Sequence, residues 1–193
     1  MSLTIPNLIT WFRILLIPIF MGVFYLPDEI LSLHFKHVAS TIIFALAAFT
    51  DWLDGYLARV LNQTSAFGAF LDPVADKLMV AAALIVLVNQ ELVNMIIAFI
   101  IIGREIAISA LREWMAQLGG SQSIAVSMLG KIKTAFQMLS IFLLLYNEPV
   151  LGLPTHEIGT FLIYVAALLT LWSMIYYLRL ALPQISKQQH KQN

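Results

Sequence analysis

Four aspartates, Asp51, Asp54, Asp72 and Asp76, lie close together in a chain that is otherwise mostly apolar. The first two are three residues apart and the last two are four residues apart, so on helices each pair lies on one face. Ionisable groups are costly inside apolar segments and usually mark a functional site. Because four carboxylates repel one another, a bound divalent cation would keep all of them ionised. The sequence therefore predicts a metal site whose ligands are these four aspartates.

Small residues accompany the carboxylates. Gly55 and Ala58 share a helical face with the first aspartate pair, and Gly68 lies one turn before the second pair. They leave room for a phosphate or a sugar to approach the backbone, although close helix packing is the alternative explanation. The aspartates themselves have the alternative of salt bridges with Arg59 and Lys77, but two cations cannot neutralise four acids. Ligands that are all oxygen atoms favour a hard cation, Mg²⁺ or Mn²⁺.

The composition indicates that these residues belong to an integral membrane protein. Of 193 residues, 60% are hydrophobic and only 11% are charged, with a mean hydropathy of +0.86. A soluble domain has about 25% charged residues. There are no cysteines, which excludes disulfides and thiolate zinc sites, and the net charge of +0 gives no overall field to attract nucleic acid. We predict one domain over residues 1–186 and a polar, disordered tail over residues 187–193.

Six apolar windows are long enough to cross a bilayer, which needs about 20 residues per helix. We therefore predict an all-α, polytopic membrane protein with six transmembrane helices. A short interfacial helix is expected over residues 2–7, before the first span. The approximate windows are residues 8–26, 37–57, 67–90, 92–111, 126–146 and 159–180.

The distribution of basic residues predicts the orientation of the chain in the membrane. Cytoplasmic connections carry an excess of lysine and arginine. The connections after the first, third and fifth windows contain only Lys36, whereas the other connections and the C-terminal end contain Arg59, Arg112, Lys131, Lys133, Arg179, Lys187 and Lys191. Both termini and the aspartates are therefore expected on the cytoplasmic side.

The aspartates and small residues together form a longer pattern. It reads D-x-x-D-G-x-x-A-R, then eight residues, then G-x-x-x-D-x-x-x-D, and it resembles the signature of the CDP-alcohol phosphotransferase family. The matching positions, without a gap or a substitution, are Asp51, Asp54, Gly55, Ala58, Arg59, Gly68, Asp72 and Asp76.

This resemblance implies six transmembrane helices, an active site open to the cytoplasm, and commonly a homodimer. It implies transfer of a phosphatidyl or similar group from a CDP-linked donor to an alcohol, with release of CMP. Two divalent ions would be held by Asp51, Asp54 and Asp72, while Asp76 would be the general base and a further metal contact. The CDP moiety would lie against the first aspartate pair and the small residues, with Arg59 near the donor phosphates; this donor set is Asp51, Asp54, Gly55, Ala58, Arg59 and Gly68.

Four basic residues further along the chain suggest the kind of alcohol. Arg104 and Arg112 lie in the fourth window, and Lys131 and Lys133 lie near the start of the fifth. A cluster of this kind suits an acceptor that carries its own phosphate. As alternatives, Arg104 pairs structurally with Glu105 or another acid, and the two lysines are topology signals or contacts to lipid headgroups.

Longer segments resemble the bacterial members of the family that use CDP-diacylglycerol and sn-glycerol 3-phosphate to form phosphatidylglycerophosphate. These segments are IPNLITWFR from Ile5, GREIAISALREWMA from Gly103 and VSMLGKIKT from Val126. The resemblance implies the bacterial inner membrane as the location. Serine, inositol phosphate and phosphatidylglycerol are the rival acceptors. A cation transporter that uses intramembrane carboxylates is the rival of a different class, but the aspartates cluster at one end of the predicted bundle.

Overall fold

The computed structural model describes residues 5–60, 66–117 and 128–192, and within these ranges the chain forms six α-helices. The only β-type pairing in the same ranges is an isolated bridge between Val150 and Leu153. The all-α prediction is therefore confirmed. The helices are α1 (Ile5–Val23), α2 (Leu33–Val60), α3 (Ala66–Asn89), α4 (Met95–Gln117), α5 (Met128–Tyr146) and α6 (Thr155–Gln192).

The six helices follow the six predicted apolar windows, but both ends of the chain differ from expectation. Ile5, Pro6 and Asn7 are part of α1 itself rather than of a separate interfacial helix, and residues 1–4 lie outside the described ranges. At the other end, α6 continues to Gln192, so residues 187–192 are helical where the sequence predicted a disordered tail. This tail contains lysine and glutamine, which are good helix formers, and no glycine or proline interrupts it.

Helix α3 lies at the centre of the bundle, where it contacts α1, α2, α4 and α5. Helix α6 lies outside this group and packs against α4 and α5. Apolar side chains from all six helices fill the space between them. The fully buried members of this core are Phe20, Phe44, Ala83, Leu84, Leu87, Ile101, Ile141, Leu144, Leu145 and Ile163.

Helices α5 and α6 pack closely at Gly159. A Cβ atom at this position would lie 2.8 Å from Cγ of Leu144, which is nearer than side chains tolerate. The hydroxyl of Ser140 also donates a hydrogen bond of 2.6 Å to the carbonyl oxygen of Gly159. The absence of a side chain at Gly159 therefore lets the two helices approach each other, as small residues do between membrane helices.

Polar side-chain contacts divide the bundle into two ends. At one end, which we call the site end, side chains near the start of α1 contact the end of α2 and the start of α3. The contacts of Arg104 with Ser173 and of Lys133 with Glu105 belong to the same end. At the opposite end, Lys36 donates to Asp28, and His37 contacts the carbonyl oxygen of Leu145. All four aspartates and the described basic candidates therefore lie at one end of the bundle.

The outer surface of the bundle is rich in apolar side chains. Phe99, Phe161, Leu168 and Trp172 are examples of large side chains that are mostly exposed. Within the described residues, two helical segments are long and apolar enough to cross a membrane by length and composition, and two shorter apolar helices accompany them. The long segments are Leu33–Leu57 and Thr155–Arg179, and the shorter ones are Asn7–Val23 and Ile132–Tyr146.

Candidate active site

Arg13 of α1 lies at the centre of the aspartate group. Its Nη1 is 2.7 Å from Oδ1 of Asp51 and 3.5 Å from Oδ1 of Asp76, and its Nη2 donates to Oδ2 of Asp54. Only 1% of the Arg13 side chain is exposed, and Asp54 is buried beside it. Helices α2 and α3 therefore bring three of the four predicted aspartates to one point, as the motif spacing implied.

The fourth aspartate, Asp72, is held by the same helix. Oγ1 of Thr10 donates a hydrogen bond of 2.6 Å to Oδ1 of Asp72. Thr10 lies three residues before Arg13, and Asn7 lies three residues before Thr10, so these side chains form one polar stripe on α1. All three are buried. Helix α1 therefore serves as the polar wall against which the carboxylates of α2 and α3 are arranged.

The charges around Arg13 do not balance. One guanidinium contacts Asp51, Asp54 and Asp76, and Asp72 adds a fourth carboxylate beside them. Among the described side chains, Arg13 is the one cation in contact with this group, so the local charge is strongly negative. Like charges held this close repel one another. The imbalance favours the binding of additional cations at this point.

The aspartate group fits a divalent cation by its chemistry. In the ranges 5–60, 66–117 and 128–192, no three acidic or histidine side chains are already arranged as a metal site. The carboxylates surround the guanidinium of Arg13 instead. They nevertheless supply only oxygen atoms, converge on a cation and retain excess negative charge, which is the donor set that Mg²⁺ and Mn²⁺ prefer.

The residues predicted to face the donor are described in part. Gly55 is exposed, and a Cβ atom added there would meet no other atom within 4 Å. Open space therefore lies beside the first aspartate pair. Gly68 is buried in the first turn of α3. The side chains of Ala58 and Arg59 lie outside what the structure describes.

A second polar cluster joins α4, α5 and α6. Lys133, with only 2% of its side chain exposed, donates to Oε1 of Glu105, and Nη1 of Arg104 is 3.4 Å from the same oxygen. Nη2 of Arg104 donates to Oγ of Ser173 at 3.1 Å, and its guanidinium lies 5.7 Å from the ring centre of Tyr177. Two predicted basic residues therefore meet, but they share a glutamate that reduces their combined positive charge.

A structural pair between Arg104 and Glu105 was the alternative to a role of Arg104 in binding phosphate, and this pair is present in the structure. It leaves a net positive charge, because Glu105 supplies one negative charge against the two positive charges of Arg104 and Lys133. Nε of Arg104 is also buried without a partner among the described residues. The side chains of Arg112 and Lys131, the other two predicted basic residues, lie outside the described part of the structure.

One cavity of about 620 Å³ connects the two clusters. Asp51 and Asp76 line it, as do Arg104 and Glu105 of the second cluster. Lys77 and Ser109 also line it, and Nζ of Lys77 donates to Oγ of Ser109. The remaining lining residues are Ala48, Pro73, Val80, Ile108, Glu113, Thr134, Gln137 and Met138. A ligand in this cavity can therefore contact the acidic and the basic cluster together.

Several residues of this site were not among the predicted site residues. Thr10 and Arg13 were the clearest omissions, since the stripe of polar residues at every third position of α1 was a usable sequence signal. Glu105 was considered only as a partner for Arg104. Ser109 and Gln137 carry no signal that separates them from other polar residues in an apolar helix.

Known proteins resemble this chain over most of its length. Residues 3–172 match the protein family described as CDP-alcohol phosphatidyltransferase. The chain is 53% identical to a protein of Haemophilus influenzae over 94% of this chain and 95% of the relative, and 50% identical to one of Pseudomonas fluorescens over 98% and 96%. A protein of Shigella flexneri serotype 5b is 49% identical over 94% and 96%. All three relatives are named CDP-diacylglycerol–glycerol-3-phosphate 3-phosphatidyltransferase. With the aspartate motif intact and the match covering most of its length, the chain belongs to the CDP-alcohol phosphatidyltransferase family.

Proposed function

We propose that this protein transfers a phosphatidyl group from CDP-diacylglycerol to sn-glycerol 3-phosphate, which releases CMP and forms phosphatidylglycerophosphate. The observation that carries this proposal is the single cavity that joins the aspartate cluster to Arg104. Full-length relatives named for this reaction support the choice of both substrates. The cavity suits an acceptor that offers a hydroxyl group at one end and a phosphate at the other.

In the proposed reaction, a hydroxyl oxygen of glycerol 3-phosphate bonds to the phosphorus that carries the diacylglycerol. The bond from that phosphorus to the oxygen of CMP breaks, and CMP leaves with the electron pair. Asp76 accepts the proton of the attacking hydroxyl, since a carboxylate can act as a general base when it reaches the reacting group. Asp76 suits this role because 57% of its side chain is exposed and it lines the cavity, whereas Asp54 is buried against Arg13.

We assign the divalent cations, Mg²⁺ or Mn²⁺ and two in number, to Asp51, Asp54, Asp72 and Asp76. When bound, such ions stabilise negative charge on the attacking and leaving oxygens of a phosphoryl transfer. The chain contributes the positions of the carboxylates. Arg13 and Thr10 of α1 hold them on one side, and the donor lies in the open space beside Gly55. Gly68, Ala58 and Arg59 complete the proposed donor site.

The phosphate of the acceptor binds to the basic cluster in this proposal. Arg104 and Lys133 form its described part, and Arg112 and Lys131 are assigned to the same role from their positions in the sequence. Nε of Arg104, which is buried without a described partner, is suited to donate to a phosphate oxygen. Glu105 orients the two cations but repels the ligand, so loss of either cation will weaken acceptor binding strongly.

We expect Lys133→Met to raise the KM for glycerol 3-phosphate by roughly 10-fold or more while changing the KM for CDP-diacylglycerol by less than about 2-fold. The substitution removes a positive charge and leaves Glu105 with less compensation beside the acceptor phosphate. Steady-state kinetics with each substrate varied in turn measure the effect. Lys36→Met is the matched control, because Lys36 is also a buried lysine in an ion pair but lies at the opposite end. Equal changes in both KM values would contradict the assignment.

We further propose that the protein is a multi-pass protein of the bacterial inner membrane, with six transmembrane helices and both termini in the cytoplasm. The apolar outer surface supports this arrangement, since soluble proteins rarely expose large apolar patches. The distribution of basic residues supports the orientation. Because the family resemblance implies a homodimer, we include this oligomeric state in the proposal.

The test of the proposed function is CMP release by the detergent-purified protein from CDP-diacylglycerol. Glycerol 3-phosphate, serine, inositol 1-phosphate and phosphatidylglycerol are offered in parallel, each with Mg²⁺ and with a chelator. We expect release that depends on Mg²⁺ and occurs with glycerol 3-phosphate alone. Release with another acceptor would contradict the assignment of the basic cluster to the phosphate of glycerol 3-phosphate, but it would leave the proposed role of the aspartates in place. A folded sample that releases CMP with none of them would contradict the proposed reaction and favour the transporter.

A further inference from the structure

Gln137 is a buried polar residue of the cavity to which the proposed reaction gives no role. It lies on α5, one helical turn after Lys133, so the two side chains share a face. Only 3% of Gln137 is exposed, yet it lines the cavity that Asp76 and Arg104 also line. A polar side chain at this position is therefore directed toward whatever the cavity binds.

The amide oxygen of Gln137, Oε1, is buried, and none of the residues that the structure describes donates a hydrogen bond to it. Leaving a buried amide oxygen unpaired is destabilising, and the large majority of such atoms in proteins have a partner. Val80 and Met138, which line the same cavity, are apolar and cannot donate to it. The unpaired oxygen points to a partner that comes from a ligand.

The chemistry of the cavity narrows the identity of that partner. The acidic cluster suits the reacting hydroxyl of the acceptor, and the basic cluster suits its phosphate. The neutral amide of Gln137 therefore suits a further, uncharged polar group of the acceptor. A hydroxyl group both donates and accepts hydrogen bonds, which lets it pair with either end of an amide. Glycerol 3-phosphate has one such group, the hydroxyl on its central carbon.

We propose that Gln137 binds the central, non-reacting hydroxyl of glycerol 3-phosphate and thereby selects this acceptor over phosphorylated alcohols that lack it. The inference rests on the proposed function, because it assumes glycerol 3-phosphate as the acceptor. Gln137 is a specificity residue in this proposal and takes no part in bond making. A site that is built to hydrogen-bond a substrate hydroxyl rejects analogues without that group, because its own polar atom is then left unpaired.

The test compares two acceptors that differ only at the central carbon. Glycerol 3-phosphate and 3-hydroxypropyl phosphate carry the same phosphate and the same terminal hydroxyl, but the second has no central hydroxyl. For the wild-type protein we expect kcat/KM for glycerol 3-phosphate to be higher by roughly 10- to 100-fold, the effect of one unpaired buried polar group. Equal use of the two acceptors by the wild type would overturn the inference without any variant.

The Gln137→Met variant assigns the preference to this side chain, because methionine has a similar shape but cannot pair with the hydroxyl. We expect Gln137→Met to lower kcat/KM for glycerol 3-phosphate and to change kcat/KM for 3-hydroxypropyl phosphate little. The two kcat/KM values should then differ by less than about 3-fold. Gln90→Met, at the opposite end of the bundle, is the matched control and should keep the full preference. Gln137→Leu is a second variant if the first does not fold.

Two contrary results are distinguishable. If Gln137→Met slows both acceptors equally, the side chain has a structural role and the inference is wrong. If the wild-type protein, folded and supplied with Mg²⁺, releases CMP with neither acceptor, the proposed function itself fails and the inference fails with it. A preserved preference in the variant would also overturn the role of Gln137 while leaving the proposed function intact.

Discussion

Asp76→Asn will reduce CMP release by roughly 100- to 10,000-fold, the range expected for loss of a general base. Asparagine has nearly the shape of aspartate but cannot accept the proton of the attacking hydroxyl. Asp51, Asp54 and Asp72 remain in this variant, so divalent-cation binding should be largely kept. The expected result is therefore a protein that binds Mn²⁺ and CDP-diacylglycerol but turns over very slowly.

The experiment measures CMP release and Mn²⁺ binding on the same purified sample, the latter by electron paramagnetic resonance. Asp28→Asn is a suitable control, because Asp28 is also a mostly exposed aspartate that pairs with a cation, Lys36, but at the opposite end. Near-normal CMP release by Asp76→Asn would exclude Asp76 as the base. Parallel loss of Mn²⁺ binding and turnover would instead make Asp76 chiefly a metal ligand.

The second large effect is expected at Arg13. Arg13→Gln removes the one described cation that contacts Asp51, Asp54 and Asp76. Removal of one partner from a buried ion pair typically costs about 3–5 kcal/mol, because the remaining charge is left uncompensated. We therefore expect a marked fall in the thermal unfolding midpoint of the variant when a chelator is present.

Divalent cations should partly reverse this loss, because they neutralise the same carboxylates. A ligand that binds only the folded state stabilises it, so the rise in the unfolding midpoint on addition of Mg²⁺ should be larger for Arg13→Gln than for the wild type. Arg13→Lys should be intermediate in chelator, because a lysine ammonium carries the charge but cannot bridge several carboxylates as a planar guanidinium does.

Tryptophan fluorescence can follow unfolding, and Arg179→Gln provides the control, since Arg179 is an exposed arginine of α6. An unchanged midpoint for Arg13→Gln in chelator would mean that the contacts of Arg13 with the carboxylates do not stabilise the fold. A loss of equal size with and without Mg²⁺ would contradict the idea that Arg13 and the cations neutralise the same group.

The sequence predicted the elements of the fold well and their contacts less well. Apolar runs of sufficient length predicted the six helices. A long apolar run forms a helix whether it faces lipid or other helices, so this prediction did not depend on knowing which helices pack together. Helix ends were less predictable. The last turns of α6 contain polar residues that are compatible with helix or with disorder, and only the structure extends that helix to Gln192.

The same distinction holds within the site. The spacing of Asp51 and Asp54, and of Asp72 and Asp76, is local information, so helical periodicity alone aligned each pair. The contacts of Arg13 with Asp51 and Asp54 cross 38 and 41 residues of sequence. Nothing in the local pattern relates positions so far apart, so the sequence did not place Arg13 among the site residues, although Arg13 ends the IPNLITWFR segment of the family resemblance.

The sequence by itself determined the helical class, the paired carboxylates and the family resemblance, because these depend on residue types at fixed short spacings. The tertiary structure alone decided which side chains complete the site. Packing of α1 against α2 and α3 brings Arg13 and Thr10 to the carboxylates. Packing of α5 beside α2 and α3 directs the amide of Gln137 into the cavity. A polar side chain in an apolar helix can face a ligand, a neighbouring helix or the surface. The packing of the surrounding helices decides which of these environments the side chain meets, and that packing is not encoded in the local sequence.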